Sequence, residues 1–369
     1  MPSTCGDSNT ASAARNVSVT KWFGAVMLAA LAFSSHAASN LVVLAQEKVA
    51  GDRQLSLLRA GDEAPSIVAL DLGPQPGAAA VMPFDVVGES SARRPLPGFE
   101  DVLYIAQVHE FAKPPALLAV ADDKGQWRMQ SMTQGKTPVL RLPEASLVGH
   151  VVGKNDRLAL AGVSVSGLPW LVISAQKAGA LTGNLLEGAK EGEVSQLLGQ
   201  LSEGYLAMVN YRDSTAEVME WSAAGKLVRR QSVPGGAASL AVSADGLLLV
   251  TYRTGRQWFA AQWSAGWDTM WTQPLHRVAG PATRTLKLAS TGRQGWLVSG
   301  GLEGVVFVRV LRRDGQQEEP MQERTGLLPP ADNNWHLWFR DGRALVRGVS
   351  RRVDDLESGG STDFVLTPQ

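Results

Sequence analysis

The residues able to do chemistry are few and scattered. Histidine occurs five times in 369 residues. Beyond His36 these are His109, His150, His276 and His336, and no two lie at i and i+4. No H-E-x-x-H occurs, so the helical two-histidine metal pair is absent. His109-Glu110 sets a base beside a carboxylate where a strand meets a loop. That is either an acid/base pair at the mouth of a site or plain surface polarity. His336, between Trp335 and Trp338, reads as a packed histidine in an aromatic strand. Asp122-Asp123 falls in a predicted hairpin turn, where aspartate bonds nearby backbone. The run 354–363 (DDLESGGSTD) is rich in oxygen ligands but lacks the alternating Asp/Asn spacing of a calcium loop. It reads as a solvated loop. Neither a G-x-S-x-G nucleophile motif nor a G-x-x-x-x-G-K-[ST] phosphate loop is present.

A second group suits binding better than catalysis. Asn210-Tyr211-Arg212-Asp213 and Thr251-Tyr252-Arg253 each follow the second strand of a repeat unit. Arg212 and Arg253 then occupy similar positions and line one face. They read either as an anion-binding funnel or as arginines in solvent loops. Tryptophan is the compositional oddity, with 11 in the chain. Trp258, Trp263, Trp267 and Trp271 cluster in one short stretch. Their rings suit packing between sheets or a platform for a sugar or peptide. The candidate ligand-binding set is Arg212, Asp213, Arg253, Trp263 and Trp267. No catalytic residue, cofactor or metal site is expected.

These residues sit on many short β-type runs, such as Tyr205–Val209, Val218–Trp221, Leu247–Thr251 and Val305–Val310. Glycine, Asp, Asn and Pro punctuate them. Several segments repeat a strand, a polar turn with glycine and a second strand: LLAVADDKGQWRMQ from Leu117, VMEWSAAGKLVRRQ from Val218, FAAQWSAGWDTMWTQ from Phe259 and VFVRVLRRDGQQ from Val306. The turn glycines are Gly61, Gly125, Gly179, Gly225, Gly266 and Gly315. Gly235-Gly236 and Gly300-Gly301 read as turns at the joints between units. A partner strand precedes each turn, and a further run often comes first. The unit is four strands in roughly 45–50 residues, the length of a propeller blade.

On these repeats the chain resembles the β-propeller superfamily, in particular exported bacterial propellers with degenerate repeats. The likeness covers nearly all of residues 40–369. No repeat carries the paired Gly-His and Trp-Asp dipeptides of the WD class. The strand-turn-Gly-strand pattern is similar to quinoprotein-like propellers, whose regular Trp-docking consensus is mostly missing. The resemblance implies an all-β fold of four-stranded blades, seven fitting best and six or eight as alternatives. The last copy lacks an outer strand and the first an inner one, so strand exchange between the chain ends is expected to complete one blade. Two stretches fit less well. Residues 73–98, rich in Pro, Gly and Ala, read as a long connection. In Glu187 to Leu201, Val194, Leu197, Leu198 and Leu201 have helical spacing, whereas the repeat predicts an inner strand.

Composition limits the function. Residues 1–37 read as an export signal. Arg15 and Lys21 precede the apolar run Trp22–Phe33, and Ser35-His36-Ala37 offers a cleavage site. That run is shorter than the about 20 residues a membrane span needs. Cys5 is the only cysteine, so residues 38–369 contain no thiolate nucleophile and no disulfide. With 35 basic and 35 acidic residues, the chain has no basic block for nucleic acid. The expectation is a monomeric, periplasmic, non-catalytic module that holds a protein or glycan of the cell envelope, without stable membrane insertion. The alternative is a propeller enzyme, a hydrolase, lyase or quinone-cofactor oxidoreductase, with charged groups converging at the central channel.

Overall fold

The computed structural model describes the 28 strands named below, the segments 157–175, 188–199, 204–278, 284–302 and 305–317, and a few single positions. Side chains are described mainly over 159–173, 188–199, 204–278, 284–301 and 305–317. Residues 1–37, with Cys5, lie outside the described residues. So do His109-Glu110 and the turn glycines Gly61, Gly125 and Gly179. All described strands belong to one compact unit, Ser39–Gln369.

The chain enters through β1 (Val42–Val49). Six sheets of four strands follow, each hydrogen-bonded in chain order. They are β2 (Leu55–Ala60), β3 (Ser66–Asp71), β4 (Ala80–Asp85) and β5 (Arg94–Pro95); β6 (Asp101–Val108), β7 (Ala116–Asp123), β8 (Gln126–Ser131) and β9 (Leu140–Leu142); β10 (Ala145–Lys154), β11 (Arg157–Ser164), β12 (Pro169–Ala175) and β13 (Asn184–Leu185). Next come β14 (Gly192–Gly199), β15 (Tyr205–Tyr211), β16 (Ala216–Trp221) and β17 (Leu227–Val233). The fifth is β18 (Gly236–Val242), β19 (Leu248–Thr254), β20 (Gln257–Trp263) and β21 (Thr269–Arg277). The sixth is β22 (Lys287–Ser290), β23 (Gly295–Leu302), β24 (Val305–Arg312) and β25 (Gln322–Thr325). The last sheet contains β26 (Trp335–Arg340), β27 (Arg343–Ser350) and β28 (Ser361–Thr367), and β1 pairs antiparallel with β28 as its outer strand.

The strand exchange between the chain ends is therefore present. It supplies only the outer strand of the last sheet, because β2 already gives the first sheet its inner strand. The first strands of successive sheets are neighbours, from β2 beside β6 through β22 beside β26, and β27 reaches back to β2. The sheets thus stand in a ring with their first strands innermost. The description is a β-propeller, all β among the described residues.

Burial explains why the strand runs read as continuous apolar segments. Every residue of β15 (YLAMVNY) is buried, because a middle strand is covered on both faces. Tyr205, Ala207, Val209 and Tyr211 face the β10–β13 sheet with Ala159, Ala161 and Leu171. Leu206 and Met208 face the β18–β21 sheet with Leu240, Leu248, Val250 and Trp263. Outer strands carry polar, exposed positions, as in β17 and β21. Each seam between sheets is a thin hydrophobic layer, and the ring leaves only the inner strands' edges facing its axis.

Several local expectations are corrected. Glu187 to Leu201 holds β14, not a helix, because Val194 and Leu197 sit either side of a register shift between Val194 and Gln196. That bulge turns a two-residue alternation into three-residue spacing. The stretch 73–98 is not a bare connection; it carries β4 and β5. Asp122 and Asp123 are the last residues of β7, paired with Trp127 and Gln126, rather than turn residues. Asp363 lies in β28, opposite Glu47. Gly300-Gly301 is strand, not a joint. A Cβ on Gly300 would lie 2.6 Å from Leu286 and the Phe307 ring, so glycine there makes room for its cross-strand partner Phe307 within the sheet.

One turn design recurs. In it residue i donates its N–H to the carbonyl of i+4, and i+3 donates to the carbonyl of i. Ser164, Ser222, Ser243 and Ser264 start four copies. Each serine hydroxyl also accepts the N–H of i+4, at 3.0–3.2 Å. This is a three-residue hairpin loop with a left-handed residue at i+3. Glycine fills that place at Gly167, Gly225 and Gly246, with φ of 80 to 82°. In the fourth copy the left-handed residue is not Gly266 but Trp267, at φ 73°. A side chain in that conformation costs about 1–2 kcal/mol, so packing must hold Trp267 there.

Candidate interaction face

The strand directions divide the turns between two faces. The near face carries the turns from second to third strand and the connections between sheets. The far face carries the turns from first to second and from third to fourth strand. Arg212, Asp213 and Arg253 belong to the near face. Trp263 and Trp267 belong to the far-face end of the β18–β21 sheet. The sequence-derived set therefore does not form one site.

Arg212 and Asp213 sit in the β15–β16 turn. Arg212 Nη1 meets Glu191 Oε2 at 2.5 Å, and Lys190 Nζ meets Asp213 Oδ2 at 2.7 Å. The bond from Lys190 and a second from Thr215 hold the Asp213 carboxyl at about 2, below the usual carboxylate range. The Arg212 amide donates to the Glu191 carbonyl, so the turn is fastened to the connection entering β14. Beneath it, Tyr211 donates to Glu217 Oε2 at 2.8 Å, and burial with that bond raises its phenol well above the ordinary value. Lys190 also stands over the Tyr211 ring, 5.7 Å from its centre. Arg253 differs from Arg212 in setting. It lies inside β19, paired with Trp258, because its hairpin has only Gly255 and Arg256 at the turn. Its guanidinium lies 5.8 Å from the centre of the Trp258 ring.

At the axis end of this face, Arg284 Nη2 meets Glu193 Oε1 at 2.5 Å. Arg284 precedes β22 and Glu193 opens β14, so the pair passes across the sheet between them. In β14, β18 and β22, the inner strands with described side chains, the charged residues are Glu193 and Lys287. His276 is half-buried with its ring stacked on Phe307, 6.2 Å between centres. His150 lies in β10 at a register shift, and His336 lies in β26. Among the described residues no group of three His, Cys, Asp or Glu could hold a metal ion. Among them, too, no helix is long and apolar enough to cross a membrane.

The tryptophans divide by seam. Trp263 and Trp267 are 2% and 4% exposed and pack between the β14–β17 and β18–β21 sheets. Trp258, 1% exposed, faces the other seam with Trp296 and Phe307, and Trp271 joins that seam from its edge. The rings of Trp263 and Trp267 are thus covered and present no platform. Arg229 of β17 covers Trp267, 4.0 Å above the ring. It bonds Glu220 at 2.6 Å and the Ala265 carbonyl at 3.1 Å.

The far face repeats this cross-sheet grip. Arg313, in the β24–β25 turn, forks onto both oxygens of Asp245 in the β18–β19 turn, at 2.5 and 3.0 Å. It also donates to the Gly292 carbonyl. The Arg313 bond, assisted by Ser243, holds the Asp245 carboxyl far below the usual range. Trp271 Nε1 donates to the Arg313 carbonyl at 2.8 Å. Gly315 lies so close to Trp271 that a Cβ would sit 3.1 Å from the ring.

Sequence reading placed Asn210 before a rim turn but missed that it joins two sheets. Asn210 is buried, and its amide copies a strand edge. Its Oδ1 accepts the Ala238 N–H at 2.7 Å and its Nδ2 donates to the Ala238 carbonyl at 2.9 Å. A polar residue inside the apolar run YLAMVNY is the signal that could have found it.

No protein-family model matches the chain, and no curated protein sequence matches it. Solved structures do. The WD40 domain of Toxoplasma gondii coronin is 13% identical, with 90% of this chain and 88% of that chain covered and a TM-score of 0.57. The Dos1 propeller is also 13% identical, covering 85% and 78%, with a TM-score of 0.53. The β-propeller domain of Cps50 (Swd1) from Myceliophteria thermophila, again 13% identical, covers 86% and 99% with a TM-score of 0.52. At such identities the likeness concerns the fold alone. Together with the ring of four-stranded sheets, it shows that the chain has the β-propeller fold.

Proposed function

We propose that the protein is a non-catalytic binding module that docks a partner protein on its near face. The observation that carries this is the rim of that face. Arg212, Asp213, Thr254 and Arg256 project from short hairpins, and those hairpins are fastened by backbone bonds to the connections beside them. Arg212 donates to Glu191, and Val278 donates to the Arg256 carbonyl. Exposed polar groups on a rigid base bind with little ordering cost. The far face, by contrast, uses its charges to join neighbouring sheets.

The compartment is part of the proposal. The apolar run Trp22–Phe33, with the Ala37 cleavage site behind it, supports export to the periplasm and a partner in the cell envelope, either a protein or its glycan. A photo-crosslinking amino acid placed in living cells at Thr254 or Arg256, and for comparison at Lys226 or Arg293 on the far face, tests the reading. The expected result is one envelope protein captured in stoichiometric amount from the near-face positions. Capture from the far face alone overturns it. Turnover of a small molecule with no captured partner favours the enzyme reading instead.

A further inference from the structure

We propose that the near-face rim of the β18–β21 sheet binds an extended, carboxylate-rich peptide segment through Arg253, Arg256 and Arg277. This rests on the reading that the near face docks a protein, and it adds the chemistry of that partner.

Six near-face cations among the described residues fall into two groups. Lys190, Arg212 and Arg284 each hold a carboxylate at 2.5–2.7 Å. Among the described residues, Arg253, Arg256 and Arg277 have no carboxylate within salt-bridge distance. The reason is visible in the sequence. Along the sequence the acids within and flanking this sheet are Glu220, Asp245, Asp268 and Glu303, the last outside the described residues. Asp245 and Asp268 sit in far-face turns and Glu220 bonds Arg229. The β18–β21 sheet therefore brings arginines but no acid to this rim.

The backbones of the three arginines form a row along the rim. Arg253 is on β19, Arg256 is in the turn leading to β20, and Arg277 ends β21 opposite Gln257. Neighbouring strands lie about 4.8 Å apart, so the outer members are roughly 10 Å apart at the backbone. Acids at alternate positions of an extended peptide repeat every ~7 Å, within the reach of flexible guanidiniums. A single small anion does not span that row. Each arginine can engage a carboxylate through two parallel bonds. Beside Arg253 the chain is Pro234-Gly235-Gly236. A Cβ on Gly235 would sit 2.4 Å from the Arg253 carbonyl, so the rim stays low where a peptide would lie. A long polyanion fits less well. Glu191, Glu193 and Asp213 flank the row, and the chain has net charge +0, whereas phosphate-backbone binders need a continuous positive stripe.

The test uses the purified chain and a fluorescein-labelled peptide of alternating Glu and Thr, followed by anisotropy at low and physiological salt. Saturable binding that weakens with salt is expected. The double variant R256E/R277E should bind at least tenfold more weakly. The far-face variant K226E/R293E, with the same change in net charge, should bind within twofold of the parent. Arg256 and Arg277 are exposed, and unchanged far-ultraviolet circular dichroism and Tm will show that the variants fold. Equal weakening by both variants, or no saturable binding by the parent chain, overturns the proposal. So does tighter binding of duplex DNA or a sulfated glycan than of the peptide, or displacement by submillimolar inorganic phosphate. The crosslinking experiment separates the two ideas. A near-face partner captured equally by R256E/R277E leaves the docking function standing and sinks the acidic segment. No partner captured by the parent chain sinks the docking function itself.

Discussion

On the far face, Arg313 reaches from one sheet to the next and closes on Asp245, 68 residues away. On the near face, Arg212 closes on Glu191 at the edge of its own sheet, with its side chain 73% exposed. Both are arginine–carboxylate pairs, yet their surroundings differ. The Arg313 pair is continued by the Gly292 carbonyl, the Trp271 indole and the Ser243 hydroxyl, and a further grip is made by Arg229 on Trp267. The Arg212 pair is solvated, and exposed pairs contribute about 0–1 kcal/mol. Charge on the far face therefore works as fastening between sheets, whereas on the near face the Arg284–Glu193 pair joins sheets and the Arg212 pair leaves its charges open to solvent and to a partner.

Breaking the fastening should show this division. The largest loss is expected at Trp267. Trp267→Ala removes a buried ring and should cost about 3–5 kcal/mol in chemical unfolding. Trp267→Gly should recover roughly 1 kcal/mol of that, since glycine accepts the left-handed backbone. If alanine proves the more stable of the two, the strain assigned to this position is wrong. Next comes Asn210→Ala, which leaves the Ala238 N–H and carbonyl without partners inside a seam. A cost of about 2–3 kcal/mol is expected, and a loss below 0.5 kcal/mol would mean water replaces the amide.

Asp245→Asn should cost about 1 kcal/mol at pH 7 and flatten the acid side of the stability curve. The Asp245 carboxyl is depressed in the folded chain. Its contribution is complete above the unfolded value of about 3.9 and is lost as pH falls below it. Parent and variant should converge in acid, and a constant gap down to pH 2 would contradict the assignment. The smallest effect is expected on the near face. Arg212→Ala should change stability by less than about 0.5 kcal/mol. A loss like that at Asp245 would show that the exposed Arg212 pair, too, holds the fold together.

Much of the architecture was legible because it is written locally. Strand runs bounded by turn residues, repeated in fours, predict a propeller. A last copy short of one strand predicts the pairing of β1 with β28. The errors have a common origin. In Glu187 to Leu201 a bulge produced helical spacing in a strand. At Gly266 the neighbouring glycine suggested the left-handed position that Trp267 takes. In residues 73–98, Pro and Gly suggested a connection, although Met82-Pro83 is accommodated in β4. For the candidate set, sequence put Arg212 and Arg253 at equivalent places after a second strand, whereas Arg212 is in a turn and Arg253 lies inside β19. Sequence could not show that Trp263 and Trp267 are covered, because bulges reset the alternation that tells one side of a strand from the other.

The sequence by itself determined the strand repeat, the four-stranded unit and the exchange of an end strand, since each depends on apolar runs and turn residues a few positions apart. The tertiary structure decided which seam each tryptophan fills, and which arginines meet a carboxylate and which do not. Those outcomes depend on groups tens of residues apart, and only the stacking of one sheet on the next brings such groups within the few ångströms at which rings pack and charges pair.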